Sequence, residues 1–260
     1  MGTAKVTARR VETTGRNGAG EPPRHLARAE HHLLQAGLLD MVAAAAGQAA
    51  TVVDVGPFAG RMARALAGGL ERPKAFFLID QDAEALARGR DRLAPEAPGA
   101  EVRVLVGDLA RDALKLPRLG AGRRIAALGG GALNLLDAEA RARLLDKIGG
   151  LLRPGDFLAA LVEPPGDAAA KEALHRDALL ARARALFPEV GAGDWRVWHM
   201  PDPPRVEAWR LGPDGAARVT GLAFLSPAML EAEAAAAGLA PVRVWTSADG
   251  AAALALFKQG

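Results

Sequence analysis

The chain has 260 residues, half of them apolar, and its 33 Lys and Arg against 30 Asp and Glu leave a net charge of only +3. It contains no cysteine, which excludes disulfide staples, thiolate metal sites and a cysteine nucleophile, and no tyrosine, which removes one common substrate-binding hydroxyl. No apolar run approaches the ~18 residues that a membrane span requires, and no signal-type apolar core opens the chain, so a soluble, cytoplasmic protein without a membrane partner is expected.

Residues 1–21 read as a disordered basic arm, polar and aperiodic, closed by Glu21-Pro22-Pro23. Lys5, Arg9, Arg10, Arg16, Arg24 and Arg28 stand there against Glu12, Glu21 and Glu30. That balance reads as a solvated arm and not as a nucleic-acid patch. Across 22–47, Leu33, Leu34, Leu38, Leu39 and Val42 recur at helical spacing and predict an amphipathic lead-in helix. From 48 to 260 a single ligand-binding domain is expected. Short apolar runs at Thr51–Val55, Ala75–Ile79, Val102–Val106, Arg124–Leu128 and Phe157–Val162 alternate with helical segments at 60–70, 82–93, 109–115 and 137–152. That rhythm predicts βαβ units, hence an α/β fold with a doubly wound, mostly parallel sheet covered on both faces.

After Val162 the rhythm breaks, and an inserted segment is expected over about 163–216. It opens with a long helix at 167–187. It continues through Asp194–Arg210, which holds Trp195, Trp198 and Trp209 with Pro201, Pro203 and Pro204, to a turn at Gly212-Pro213-Asp214-Gly215. A strand near 217–224 follows, then a helix capped by Ser226 with Pro227 at its first position. Strands at 240–246 and 251–257, joined by Ser247-Ala248-Asp249-Gly250, predict an antiparallel hairpin that completes a seven-stranded sheet.

Chemistry concentrates at the strand ends. The first strand runs into Asp54-Val55-Gly56-Pro57-Phe58-Ala59-Gly60, a glycine loop that brings backbone close to a ligand at a helix N-terminus. The dinucleotide fingerprint fails, because positions 58 and 61 are Phe and Arg, and no Gly-Lys-Ser/Thr follows for a phosphate loop. Asp80 ends the second strand, where a carboxylate can accept a pair of ribose hydroxyls, and Asp108 follows the third, where it can take an adenine amino group. Each aspartate alone also reads as a helix N-cap. Together, with no phosphate-binding feature, they fit a neutral-to-cationic adenosyl ligand better than an anionic dinucleotide.

The stretch Asp54 to Gly60, then Ile79-Asp80-Gln81-Asp82, then Gly107-Asp108-Leu109, resembles the class I S-adenosylmethionine-dependent methyltransferases. More narrowly, Arg123 to Leu135 with Gly129-Gly130-Gly131, Leu151-Leu152-Arg153-Pro154-Gly155-Asp156, and Val244-Trp245-Thr246-Ser247-Ala248-Asp249-Gly250 resemble the histidine N-α-methyltransferase family of ergothioneine biosynthesis. The resemblance implies a Rossmann-like fold and S-adenosyl-L-methionine as cofactor, with Gly56 against its methionine part, Asp80 on the ribose and Asp108 at the adenine. Asp54, Phe58, Gly60, Gln81, Gly107, Leu109 and Gly129 complete the implied cofactor-binding set, and Asn134 would lie where the methyl meets its acceptor. Phe58 stands where the family has glycine and narrows the methionine end. The family reads histidine through tyrosines and through a Glu and a Ser on the strand before the last helix; here the matching positions are Thr220 and Leu222, and no tyrosine exists.

A small-molecule methyl acceptor other than histidine is therefore expected, with an amine nitrogen first. O- or C-methylation and a non-catalytic cofactor-binding scaffold are the alternatives. Asn134, Glu163 and His199 are the candidate catalytic residues, with Glu207 a further proton acceptor. Trp195, Trp198 and Trp209 either wall a substrate or pack the insert. His31-His32 point apart on a helix and make no metal site, and His175 reads as an exposed helix residue. Monomer and homodimer are both open.

Overall fold

The computed structural model describes residues 28, 29, 31, 33, 38–46, 49–56, 60–108, 119–188, 191, 194–213 and 215–260. The basic arm, the helix expected at 109–115, Phe58 and Leu109 lie outside the described residues. The chain forms two compact units, one of residues 165–224 and one of 21–164 with 225–260.

The larger unit is a seven-stranded sheet. Its strands are β1 (Ala49–Val55), β2 (Ala75–Asp80), β3 (Glu101–Val106), β4 (Arg123–Leu128), β5 (Phe157–Val162), β9 (Leu239–Thr246) and β10 (Ala253–Gln259), in the order β3-β2-β1-β4-β5-β10-β9. All pairs from β3 through β5 are parallel, while β10 runs antiparallel to both β5 and β9. This is the expected doubly wound sheet with its antiparallel C-terminal strand. Helices α1 (Leu38–Ala46), α2 (Arg61–Gly69), α3 (Ala83–Leu93), α4 (Ala138–Leu151) and α6 (Pro227–Ala236) connect or precede the strands. Arg28, Ala29, His31 and Leu33 are helical ahead of α1.

Strand alternation sorts the core into two layers. Val52, Phe76, Leu78, Ile125, Ala127 and Leu161 pack with Val42 of α1, Leu66 of α2 and Leu86 of α3. Val53, Phe77, Ile79, Ala126, Leu128 and Val162 pack with Leu144 and Leu145 of α4 and Leu230 of α6. The central strands β1, β2, β4 and β5 are buried on both faces, which is why they read as continuous apolar runs, while the edge strands β3 and β9 are largely exposed. Helix starts follow their sequence signals: Asp82 caps α3, Asp137 caps α4, and Ser226 accepts from the Met229 amide with Pro227 at the first turn of α6.

The smaller unit holds α5 (Ala168–Leu186) and an antiparallel sheet of β6 (Trp195–Pro201), β7 (Pro204–Gly212) and β8 (Gly215–Ala223). The proline cluster conceals β6 and β7 in the sequence. Pro201 ends β6, Pro203 lies in the turn and Pro204 opens β7, positions where a missing N–H does little harm. Val206, Ala208, Leu222 and Phe224 are buried on the side of α5. His175, expected to be exposed, is buried there instead, its ring 5.8 Å from that of Phe224.

Candidate functional site

The sheet order reverses direction between β1 and β4. In such a sheet a crevice opens outside the carboxyl ends of the parallel strands at that switch point. The loops there begin at Gly56, Asp80, Gly107, Gly129 and Glu163, so five strands deliver their last residues to one edge of the larger unit's sheet.

Gly56 leaves β1 with φ +63° and donates its amide to the Ile79 carbonyl at 2.8 Å. A Cβ on it would meet Ala132 Cβ at 3.1 Å, so the loops after β1 and β4 approach as closely as a glycine allows. Gly60, also left-handed at φ +70°, starts α2 close to Gly89 of α3. Between them the carboxylate of Asp54 is fully buried. Its Oδ2 accepts the Ala63 amide of the first turn of α2 at 2.9 Å. Asp54 was expected on the ligand, as one of three carboxylates at neighbouring strand tips. Through that oxygen it ties the strand to the helix, because a carboxylate that close to a helix N-terminus satisfies an otherwise orphaned N–H.

Asp80 and Asp108 behave differently. Asp80 is the last residue of β2, and its Oδ1 accepts the Asp82 amide at 2.8 Å. Asp82, not Asp80, is the cap of α3, through bonds from the amides of Glu84 and Ala85 at 2.9 Å. The Gly107 amide donates to the Asp80 carbonyl at 2.9 Å, which brings the next strand's tip alongside. Burial pushes the Asp80 carboxyl above its ordinary range. The bond from the Asp82 amide opposes that rise, and the negative charges of Asp82 and Asp108 add to it. Gln81 and Gly107 are half-buried beside them.

Past β4, Gly129, Gly130 and Gly131 are buried, and Gly131 enters a short 3-10 turn (Ala132–Leu135) with φ +69°. Asn134 on that turn is fully buried. Its Nδ2 donates to the Glu163 carbonyl at 3.0 Å and its Oδ1 accepts the Glu163 amide at 2.9 Å. The Glu163 carbonyl also accepts the Leu225 amide at 2.9 Å. Asn134 and Glu163, two of the three catalytic candidates, are thus joined through the Asn134 amide and the Glu163 backbone. The Asn134 amide clasps backbone at the point where the chain leaves β5 and returns at Leu225, and the Glu163 side chain is fully buried. His199, the third candidate, belongs to β6 of the smaller unit, where its ring stacks on Phe224 at 6.5 Å and 16°.

In the smaller unit, Trp195 is buried and packs against Phe187 at 6.4 Å. Trp198 is 40% exposed and lies 5.6 Å from Trp209. Trp195 therefore packs the insert, Trp209 is half-buried, and Trp198 is exposed. Glu207 accepts from Arg205 and from Trp209, contacts that its isolated position in the sequence did not signal. At the strand positions matched to the family's histidine clamp, Thr220 is half-buried and Leu222 is buried beside Val206.

The crevice fits an adenosyl sulfonium in kind. Its side chains after β2 and β3 are acidic, Asp80 accepts from the backbone of the turn that follows it, and the closely packed glycine turn at Gly56 is one a Cβ would obstruct. An anionic diphosphate would meet two carboxylates instead.

Comparison with known proteins agrees. The model of a family described as "Histidine-specific methyltransferase, SAM-dependent" matches residues 23–163, more than half of the chain. A histidine N-alpha-methyltransferase of Mycobacterium tuberculosis is 28% identical over 273 residues, covering 90% of this chain and 83% of the relative. Among solved structures, an S-adenosylmethionine-dependent methyltransferase from Clostridium acetobutylicum aligns with a TM-score of 0.52 at 9% identity, over 90% of this chain and 92% of that one. The 1,6-didemethyltoxoflavin-N1-methyltransferase of Burkholderia thailandensis, solved with S-adenosylhomocysteine, aligns with a TM-score of 0.52 at 16% identity, over 91% and 81%. At such identities the structural matches speak for the fold.

Proposed function

The chain belongs to the family of histidine-specific, SAM-dependent methyltransferases, and on that premise we propose that it transfers a methyl group to a nitrogen of a small molecule other than histidine. That it is an S-adenosylmethionine-dependent methyltransferase follows from the family. The acceptor is our own reading. The observation that carries the cofactor part is the adjacency of Asp80 and Asp108 on neighbouring strand tips beside the Gly56 turn.

Bound S-adenosylmethionine supplies an electrophilic methyl on a sulfonium; the residues of the chain hold, orient and exclude water. Asp80 accepts the ribose hydroxyls, and Asp108 accepts from the adenine amine. Gly56, Gly60, Gln81, Gly107 and Gly129 bring backbone to the ligand. Asp54 and Asn134 are positioning residues: one fixes the loop after β1, the other fixes the end of β5. An amine acceptor gives up its proton before transfer, and we assign that proton to solvent, since Glu163 is sealed from it and His199 is stacked on Phe224.

Histidine is set aside on chemical grounds. Leu222 is apolar and buried, Thr220 carries no charge, and the chain has no tyrosine to hold an imidazole or an α-amine. Calorimetric titration with S-adenosylmethionine tests the cofactor assignment. Asp80→Ala should weaken binding by about 1–3 kcal/mol, the scale of a lost charge-assisted hydrogen-bond pair. Unchanged affinity would remove it. Mass spectrometry of a reaction with histidine should show no methylated product, and rapid formation of one would overturn the acceptor assignment.

A further inference from the structure

We propose that the face of the β6-β7-β8 sheet opposite α5 is a binding site for a small planar carboxylate. The residues that build it are Trp198, Arg205, Glu207, Trp209, Arg218 and Gly221. Register puts them together. Trp198 pairs with Glu207, Glu207 pairs with Gly221, and Trp209 pairs with Arg218. Paired residues on antiparallel strands share a face.

Arg218 is on that face only because of a bulge. Ala208 pairs with Thr220, yet the next residue, Trp209, pairs with Arg218 and skips Val219. Without the extra residue, strict alternation would send Arg218 to the α5 side. Bulges re-aim side chains in this way and are enriched next to functional sites.

The charges then form an unusual group. Glu207 is only 2% exposed although it lies on the face away from α5. Arg205 Nε and Arg218 Nε each come within 2.7 Å of its Oε1, and Trp209 Nε1 donates to Oε2 at 3.0 Å. Two guanidiniums thus share one carboxylate oxygen, and the group keeps a net charge of +1. Arg205 adds a bond to the Pro203 carbonyl, while Arg218 meets Glu207 through its Nε and its side chain is 42% exposed. Gly221 lies underneath: a Cβ there would meet Arg218 Nη2 at 3.1 Å and Glu207 Cγ at 3.2 Å, so glycine keeps room for the pair.

Two arginines held close together, each with a forked set of donors, match a carboxylate. Beside them Trp198 presents its ring to solvent and is braced at 5.6 Å by Trp209, which offers a flat apolar wall to a ring attached to that carboxylate. An amine-bearing cation finds the opposite of what it needs, because Glu207 is already outnumbered by guanidiniums.

Calorimetry with 2-aminobenzoate, aniline and L-histidine tests this on the full chain. 2-Aminobenzoate should bind at least tenfold tighter than either of the others. Arg218→Gln should weaken it about tenfold and Trp198→Leu severalfold, with S-adenosylmethionine affinity kept as the measure of an intact fold. Arg205→Gln, at a second guanidinium, should act in the same direction. Equal binding of aniline and 2-aminobenzoate, or variants that bind 2-aminobenzoate as the parent does, would overturn the site. Methylated product in the presence of S-adenosylmethionine would make the bound carboxylate the acceptor; binding without turnover would make it an effector. Loss of S-adenosylmethionine binding by the parent chain would instead break the proposed function and leave this site standing.

Discussion

Buried carboxylates are held in opposite ways in the two units. In the larger unit Asp156 accepts the Arg124 amide at 2.8 Å and the Arg153 amide at 2.9 Å, and Asp54 accepts the Ala63 amide. In the smaller unit Glu207 accepts only from side chains, two arginines and a tryptophan. A carboxylate bonded to backbone fixes the path of the chain. A carboxylate bonded to long side chains organises groups that can also turn to a ligand. Asp80 lies between these cases in our proposal, bonded to the backbone of its own turn and turned to the ribose of the cofactor.

The comparison can be broken most forcefully at Asp156. Asp156→Ala leaves one buried and one partly buried amide without partners and should cost about 2–4 kcal/mol of stability by denaturant unfolding, since each unsatisfied buried group costs roughly 1–3 kcal/mol. A loss within experimental error would show that its bonds to backbone are ornamental.

Asp80 sharpens the middle case through pH. Burial raises its folded pKa, so the folded state holds a proton that the unfolded state has already released. Stability therefore falls as pH climbs from the ordinary aspartate value through the raised one. Cofactor affinity should rise across the same window, because the ionised form accepts the ribose hydroxyls. Asp80→Asn should consequently be more stable than the parent at neutral pH while binding S-adenosylmethionine more weakly. A variant that loses both stability and affinity would place Asp80 with Asp54 as scaffolding.

Glu207→Gln should have the smallest effect, about 1–2 kcal/mol in thermal unfolding, because Gln keeps an acceptor oxygen and the partly exposed Arg205 and Arg218 can turn to water. Destabilisation on the Asp156 scale would erase the distinction between the two units.

Much of the proposed cofactor crevice is legible in the chain. Asp80 and Asp108 each close an apolar run before a turn, and a parallel strand followed by a helix delivers its last residue to the same edge every time. Asp54 and Asn134 look the same in sequence, yet their side chains are committed to amides nine and 29 residues away. No local pattern encodes which donor a buried carboxylate or amide will meet. β6 and β7 were hidden by prolines that the structure puts at strand ends and in the turn. His175 carries a polar ring on a weakly patterned helix, and only packing against Phe224 buries it.

By itself the sequence determined the parallel sheet, the order of its strands and helices, the glycine turn at Gly56 and the acidic tips at Asp80 and Asp108. These follow from periodicity and from short-range caps and turns, whose physics lies within a few residues. Tertiary structure alone decided that Asp54 meets the Ala63 amide, that Asn134 holds Glu163 and that a skipped residue at Val219 swings Arg218 beside Glu207. The reason is that a side chain's partner across a sheet depends on register, and a shift of one residue reverses which face it occupies.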